Sequence, residues 1–128
     1  MIAADTSTWI AYFQGDSGAD VRLLDNALAD KLVLMVPVVL TELLSNPRLP
    51  SAVIVALSQV PLLEIQPGYW ARAGTLRAKV LAKARTARLG DALIAQSCID
   101  RRIALLTRDR DFHSFADAKG LELALDLS

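Results

Sequence analysis

Four acids stand beside apolar runs in a way that invites chemistry. Asp5 closes the run Ile2 to Ala4, and Glu42 lies about one turn beyond Pro37 in VPVVLTELL. Asp91 heads the stretch DALIAQSC, and Asp109 follows the run in IALLTRD. Carboxylates drawn together repel: two unit charges 4 Å apart cost about 4 kcal/mol at an effective dielectric of 20. They also raise one another's pKa values. A divalent cation reverses that sign. Mg²⁺ and Mn²⁺ take hard oxygen ligands, and Mg²⁺ is held through only a few carboxylates. A site of this kind activates water and stabilises the negative charge of a displaced phosphate oxygen. The chemistry to expect is metal-assisted phosphodiester hydrolysis, provided the fold gathers Asp5, Glu42, Asp91 and Asp109. Each acid also has an ordinary role. An Asp beside a helix start commonly caps it, a lone helical Glu is usually solvated, and Asp109 suits a turn.

Other chemistries are thinly represented. His113 is the single histidine, which excludes a two-histidine zinc site. Cys98 is the single cysteine, so there is no internal disulfide and no cysteine-based metal cluster. It stands among Ile94, Ala95 and Ile99 and reads as a small core residue. Neither a GxGxxG nor a GxxxxGK[ST] pattern occurs, which argues against dinucleotide and P-loop sites.

Positive charge is concentrated. From Ile65 to Gly90 there is no acid, yet Arg72, Arg77, Lys79, Lys83, Arg85 and Arg88 all fall there. Arg72, Lys79 and Lys83 share one helical face, a candidate contact for a phosphate backbone. Tyr69 and Trp70 stand at the head of that helix, where aromatic rings can stack on unpaired bases. The plainer reading is a solvated helix face with the aromatics turned to the core.

The elements that must position these residues follow from the apolar pattern. Strands are expected at Ile2 to Ala4, Leu32 to Val36, Leu62 to Ile65, Ile103 to Leu106 and Leu121 to Leu125. Helices are expected from Ser7, as cap, to about Gln14, over Ala19 to Asp30, from Pro37 to Leu44 and over Ser51 to Val60, although the β-branched residues of that last segment also suit a strand. Others run from Tyr69 to about Thr86, from Asp91 through Asp100 and, briefly, over Asp109 to Ala116. Strands alternating with helices predict a three-layer α/β/α domain on a parallel sheet of about five strands. In such folds ligands bind at the carboxyl ends of the strands, where Asp5 and Asp109 fall.

The 128 residues suit one domain, residues 1–128, with no linker or repeat. Hydrophobic residues make up 53%, enough for a core and for contact with another chain. Fourteen basic residues balance fourteen acidic ones, which argues against a disordered or wholly basic chain. The longest apolar run, Leu32 to Leu40, is too short to span a membrane and contains Pro37. MIAADTSTW has no basic n-region, so it does not read as a signal peptide, and a cytoplasmic location is expected.

The segments IAADTSTWI, VPVVLTELL, GDALIAQSC and IALLTRDRDF, in that order and spacing, resemble PIN-domain ribonucleases. The likeness extends over essentially the whole chain and is greatest to VapC-type toxins of toxin–antitoxin pairs. The resemblance implies an endoribonuclease whose Mg²⁺ or Mn²⁺ is held by Asp5, Glu42, Asp91 and Asp109. It puts Thr107 beside the site and leaves Asp111 either as a further acid or as a cap of the following turn. It also implies RNA as substrate, a homodimer and a small antitoxin that blocks the groove. Two other readings compete. A non-catalytic RNA- or protein-binding module would lack one or more of the acids, and none is missing. A phosphoacceptor receiver domain needs an acidic pair after the first strand and a Lys near the last; Asp5 has no acidic neighbour and LELALDLS has no Lys.

Overall fold

The computed structural model describes residues 1–125, apart from the Lys119 side chain. In chain order the elements are β1 (Ile2–Ala4), α1 (Thr6–Phe13), α2 (Ala19–Ala29), α3 (Pro37–Leu44), α4 (Ser51–Ser58), α5 (Tyr69–Ala82), α6 (Leu89–Arg101), β2 (Ala104–Leu106) and α7 (Phe112–Lys119).

β1 and β2 pair in parallel, Ile2 with Ala104, Ala3 with Leu105 and Ala4 with Leu106. The pattern predicts five strands, and here the structure differs: among the described residues only these two form a ladder. The other three apolar runs meet their neighbours through single parallel bridges, Ile2 to Val33, Met35 to Leu62 and Leu105 to Leu123. The reason lies in how few residues each run pairs. The backbone at Leu32 and Leu34 bonds to Ile2, and by Met35 it has turned to Pro61 and Leu63 on the other side. Pro37 then starts α3 at once, its fixed φ suited to a first helical turn. The pairing order is Leu62, Val33–Met35, β1, β2, Leu123, all parallel, so the α/β layout stands with shorter strands.

Successive strand residues point to opposite faces of a sheet. Ala3 and Ala4, like Leu105 and Leu106, are all fully buried, so helices cover both faces. Trp9, Leu24, Met35, Val39, Phe112 and Phe115 fill that core. The buried face of α5 is Tyr69, Ala73, Leu76 and Val80, as its spacing predicts. The helix stops at Ala82 rather than Thr86, because Ala84 adopts φ 55° and its N–H turns back to the Leu81 carbonyl. Among the described residues no helix is long and apolar enough to cross a membrane.

Candidate metal centre

The parallel pairing of β1 and β2 sets the site. The Asp5 N–H donates to the Leu106 carbonyl at 2.9 Å, which places Asp5 beside Thr107 at the carboxyl edge of the sheet. Asp5 has extended backbone and is itself the N-cap of α1, accepting from the Thr8 N–H at 3.1 Å through Oδ1. Ser7, expected as the cap, instead donates its hydroxyl to the same Oδ1 at 2.7 Å. The Thr107 hydroxyl donates to Asp5 Oδ2 at 2.6 Å. Asp5 is only 4% exposed. Burial raises its pKa above the ordinary value, the bonds from Thr107, Ser7 and Thr8 oppose the rise, and the charge of Asp109 adds to it.

Thr107 also organises the following loop. Its Oγ1 accepts from the Asp109 N–H at 2.9 Å, and Asp109 Oδ1 accepts from the Asp111 N–H at 2.9 Å. This side-chain-to-backbone turn is a common use of Asp. It brings the carboxylates of Asp109 and Asp111 together with that of Asp91, on the first turn of α6, with one oxygen of each lying within 4.8 Å of the others. Asp91 does not cap its helix; Arg88 holds that position, with extended backbone. Asp91 Oδ2 is buried and has no hydrogen-bond partner among the described residues. Its pKa is pushed up to about 6, first by burial and then by Asp109, with smaller contributions from Asp5 and Asp111 and a lowering by Arg88. A buried carboxylate oxygen without a donor is costly. Three converging carboxylates with such an oxygen fit a hard divalent cation.

The four acids singled out in the sequence do not all meet. Asp91 and Asp109 are in the tight group, and Asp111 joins them as the third member. Asp5 borders the group through Thr107 and through its charge. Glu42 is exposed on α3. Its Oε1 lies 4.0 Å from where a Cβ on Gly90 would stand, so it sits at the rim, next to the residue preceding Asp91.

A second network, which the apolar pattern of the sequence does not reveal, braces the site. Arg108 donates through Nε to Asp20 Oδ2 at 2.7 Å and through Nη2 to Asp20 Oδ1 at 3.0 Å. Thr8 Oγ1 donates to Asp20 Oδ2 at 3.1 Å, and the Arg108 N–H donates to Ser7 Oγ at 3.1 Å. The loop carrying Asp109 is thereby tied to the α1 turn that holds Asp5. Arg108 holds the Asp20 carboxyl below its ordinary range. Gly18, at φ 148°, makes room: a Cβ there would lie 2.7 Å from both Arg108 Nη2 and Asp20 Oδ1. The available signal was Asp20 itself, an acid sharing the buried face of α2 with Leu24 and Ala27.

The basic residues divide by role. Arg72 is engaged with Asp100 through Nε at 3.0 Å and Nη2 at 2.5 Å, and donates to the Pro67 carbonyl at 2.8 Å. It fastens α5 to α6. Lys79 lies on the same side, beside Leu76 and Gln96, and Lys83 is the exposed C-cap of α5. Tyr69 is buried, but Trp70 projects outward. Cys98 is fully buried, and its thiol is pushed up to about 12 by that burial, which makes it unreactive.

Comparison with known proteins agrees with this architecture. The PIN-domain family model matches residues 2–118. The chain belongs to the PIN-domain family. No curated protein matches the sequence. Among solved structures, VapBC2 of Rickettsia felis, bound to a DNA fragment from its promoter, is similar at 21% identity and a TM-score of 0.75, covering 98% of this chain and 100% of that one. VapBC-5 of Mycobacterium tuberculosis, a member of the VapBC family of toxin–antitoxin systems, is 21% identical with a TM-score of 0.70, covering 95% of each chain. FitAcB of Neisseria gonorrhoeae is 18% identical with a TM-score of 0.67, covering 96% of each.

Proposed function

We propose that residues 1–128 form one PIN-like domain that acts as a Mg²⁺- or Mn²⁺-dependent endoribonuclease, the toxin of a toxin–antitoxin pair. The observation that carries this reading is the convergence of the Asp91, Asp109 and Asp111 carboxylates, in which Asp91 Oδ2 is buried without a hydrogen-bond partner among the described residues. Asp91, Asp109 and Asp111 would hold the cation, with Asp5 beside them and Glu42 at the rim. A divalent ion there would supply Lewis acidity, lowering the pKa of water and offsetting negative charge on a phosphate. The protein's own part is positioning. Thr107 fixes Asp5 Oδ2 and the Asp109 N–H with one hydroxyl. Arg108 and Asp20 hold the acid-bearing loop against α1. Arg88 tempers the repulsion felt by Asp91. Lys79 and Lys83 are candidate contacts for the RNA backbone; Arg72 serves chiefly to hold Asp100.

Partners follow from the similar folds. VapBC-5 belongs to a toxin–antitoxin family, which supports a small antitoxin as partner here; a homodimeric toxin and a cytoplasmic setting complete the proposal. The test is cleavage of single-stranded RNA by the purified protein. Cutting stops in EDTA, returns with Mn²⁺ or Mg²⁺, and is lost in Asp109→Asn while the fold is retained. RNA binding without metal-dependent cutting would refute the enzyme reading.

A further inference from the structure

A pocket separate from the acid cluster opens where the heads of α3 and α5 meet α6. It measures about 220 Å³ and is lined by Pro37, Val38 and Thr41 of α3, by Ile65, by Tyr69 and Trp70 at the head of α5, and by Leu93 of α6. Two of its walls also carry acids of the candidate metal centre. Thr41 precedes Glu42 on α3, and Leu93 lies two residues beyond Asp91 on α6.

The pocket has a fixed floor and an open aromatic wall. Tyr69 is buried; its hydroxyl donates to the Leu93 carbonyl at 2.5 Å and accepts from Ser97 Oγ at 3.2 Å. That anchor pins the head of α5 onto α6. The next residue must then point away, and Trp70 is 69% exposed, its ring held edge-on to Tyr69 with centroids 4.9 Å apart. The core takes nothing from this indole.

Size and charge select the occupant. Small-molecule pockets commonly run to about 300–1,000 Å³, so this one suits a single flat ring system. A docked helix would need anchors at several spaced positions. Among the described residues no acid lines the pocket, and the segment from Ile65 to Gly90 has six bases and no acid. Arg72 and Arg85 of that segment are paired with Asp100 and Asp117; its remaining positive charge favours a polyanion. An exposed aromatic face offers stacking to any base, and Thr41 supplies a hydroxyl at the wall.

We propose that Trp70, with Val38, Thr41, Ile65 and Leu93, forms a stacking pocket for an unpaired nucleobase of the RNA strand whose phosphate lies at Asp91, Asp109 and Asp111. This inference rests on RNA being the substrate. It makes Trp70 a substrate-positioning residue and predicts that cleavage requires a splayed, single-stranded base beside the cut.

The two tryptophans make the test direct, because Trp9 is 1% exposed in the core and Trp70 alone can meet a ligand. A single-stranded oligoribonucleotide is titrated in EDTA, where cutting is off, and tryptophan emission is read. The expected result is saturable quenching that survives Trp9→Phe and disappears in Trp70→Ala. RNA affinity falls about tenfold in Trp70→Ala, and Trp70→Phe retains most of it. With Mn²⁺ added, Trp70→Ala raises KM by a similar factor and leaves kcat near that of the parent. Emission unchanged by RNA, or equal RNA affinity in Trp70→Ala, overturns the pocket. So does emission that changes with protein concentration alone, since a second copy would then cover the indole. Quenching without Mn²⁺-dependent cutting would sink the nuclease reading and leave the pocket standing; cutting with no quenching and an unaltered KM would do the reverse.

Discussion

Asp91→Asn should stabilise the protein in the absence of metal while abolishing its response to metal. The carboxyl of Asp91 titrates near 6 in the folded protein, against an ordinary value of 3.8. Between those values the folded state keeps a proton that the unfolded chain releases. Ionisation of Asp91 therefore works against folding: its cost is absent below pH 3.8 and complete above about pH 6. The shift corresponds to about 3 kcal/mol at roughly 1.4 kcal/mol per unit. Asp91 is half-buried, and solvent screening reduces the figure to roughly 1–2 kcal/mol. Asn keeps the shape and removes the charge. In EDTA at pH 7.5 the melting temperature of Asp91→Asn should exceed that of the parent by roughly 4–8 °C. At pH 4 the two should melt together. With Mn²⁺ at a hundredfold excess over its Kd, the parent gains about 2.7 kcal/mol and the variant gains little. Thermal unfolding followed by circular dichroism reads all three comparisons. If Asp91→Asn melts below the parent at pH 7.5 in EDTA, Asp91 is a structural residue and the strained-cluster argument fails.

Four further outcomes follow from the same geometry. Thr107→Val removes the donor to Asp5 and the acceptor for the Asp109 N–H, and should cost roughly 2–3 kcal/mol in urea unfolding. Asp5 then loses a bond that favours its ionised form, so the deficit should grow as pH rises above the ordinary 3.8. Asp20→Asn breaks the paired bonds from Arg108 and should cost about 2 kcal/mol. Because Asp20 titrates below its ordinary 3.8, that deficit should persist at pH 5 and fade only as pH falls below 3.8. Gly18→Ala places a Cβ 2.7 Å from Arg108 and Asp20 at φ 148°, and should cost about 1–3 kcal/mol in the same assay. Glu42→Gln, on an exposed helix face, should leave melting in EDTA unchanged and lower the rate of RNA cutting measured with Mn²⁺.

Much of the architecture is legible in the sequence because it is written locally. Apolar runs closed by Pro37 or broken at Gly120 mark strand and helix ends, and the spacing of Tyr69, Ala73, Leu76 and Val80 gives the buried face of α5. The acids at the carboxyl edge can be named as candidates on residue type and position alone. The strand lengths cannot, since an apolar run does not reveal how many of its backbone groups meet a neighbour. Leu32 to Val36 reads as one strand, yet it pairs with Ile2 on one side and Leu62 on the other through one bridge each.

What the chain order determined, then, was chemistry by type: hard oxygen ligands after apolar runs, a lone cysteine among apolar neighbours and a basic, aromatic-headed helix. Tertiary structure decided which of those groups meet. Asp111 joined Asp91 and Asp109 because Asp109 Oδ1 turns the backbone at Asp111, a three-residue event that apolar periodicity does not register. Glu42 went to the rim because helix packing, rather than spacing along the chain, sets how far α3 stands from α6. Arg108 found Asp20 across 88 positions, and Trp70 was turned outward once Tyr69 took the interior. Carboxylate convergence and ring exposure depend on through-space distance, and distance is fixed only when the helices pack.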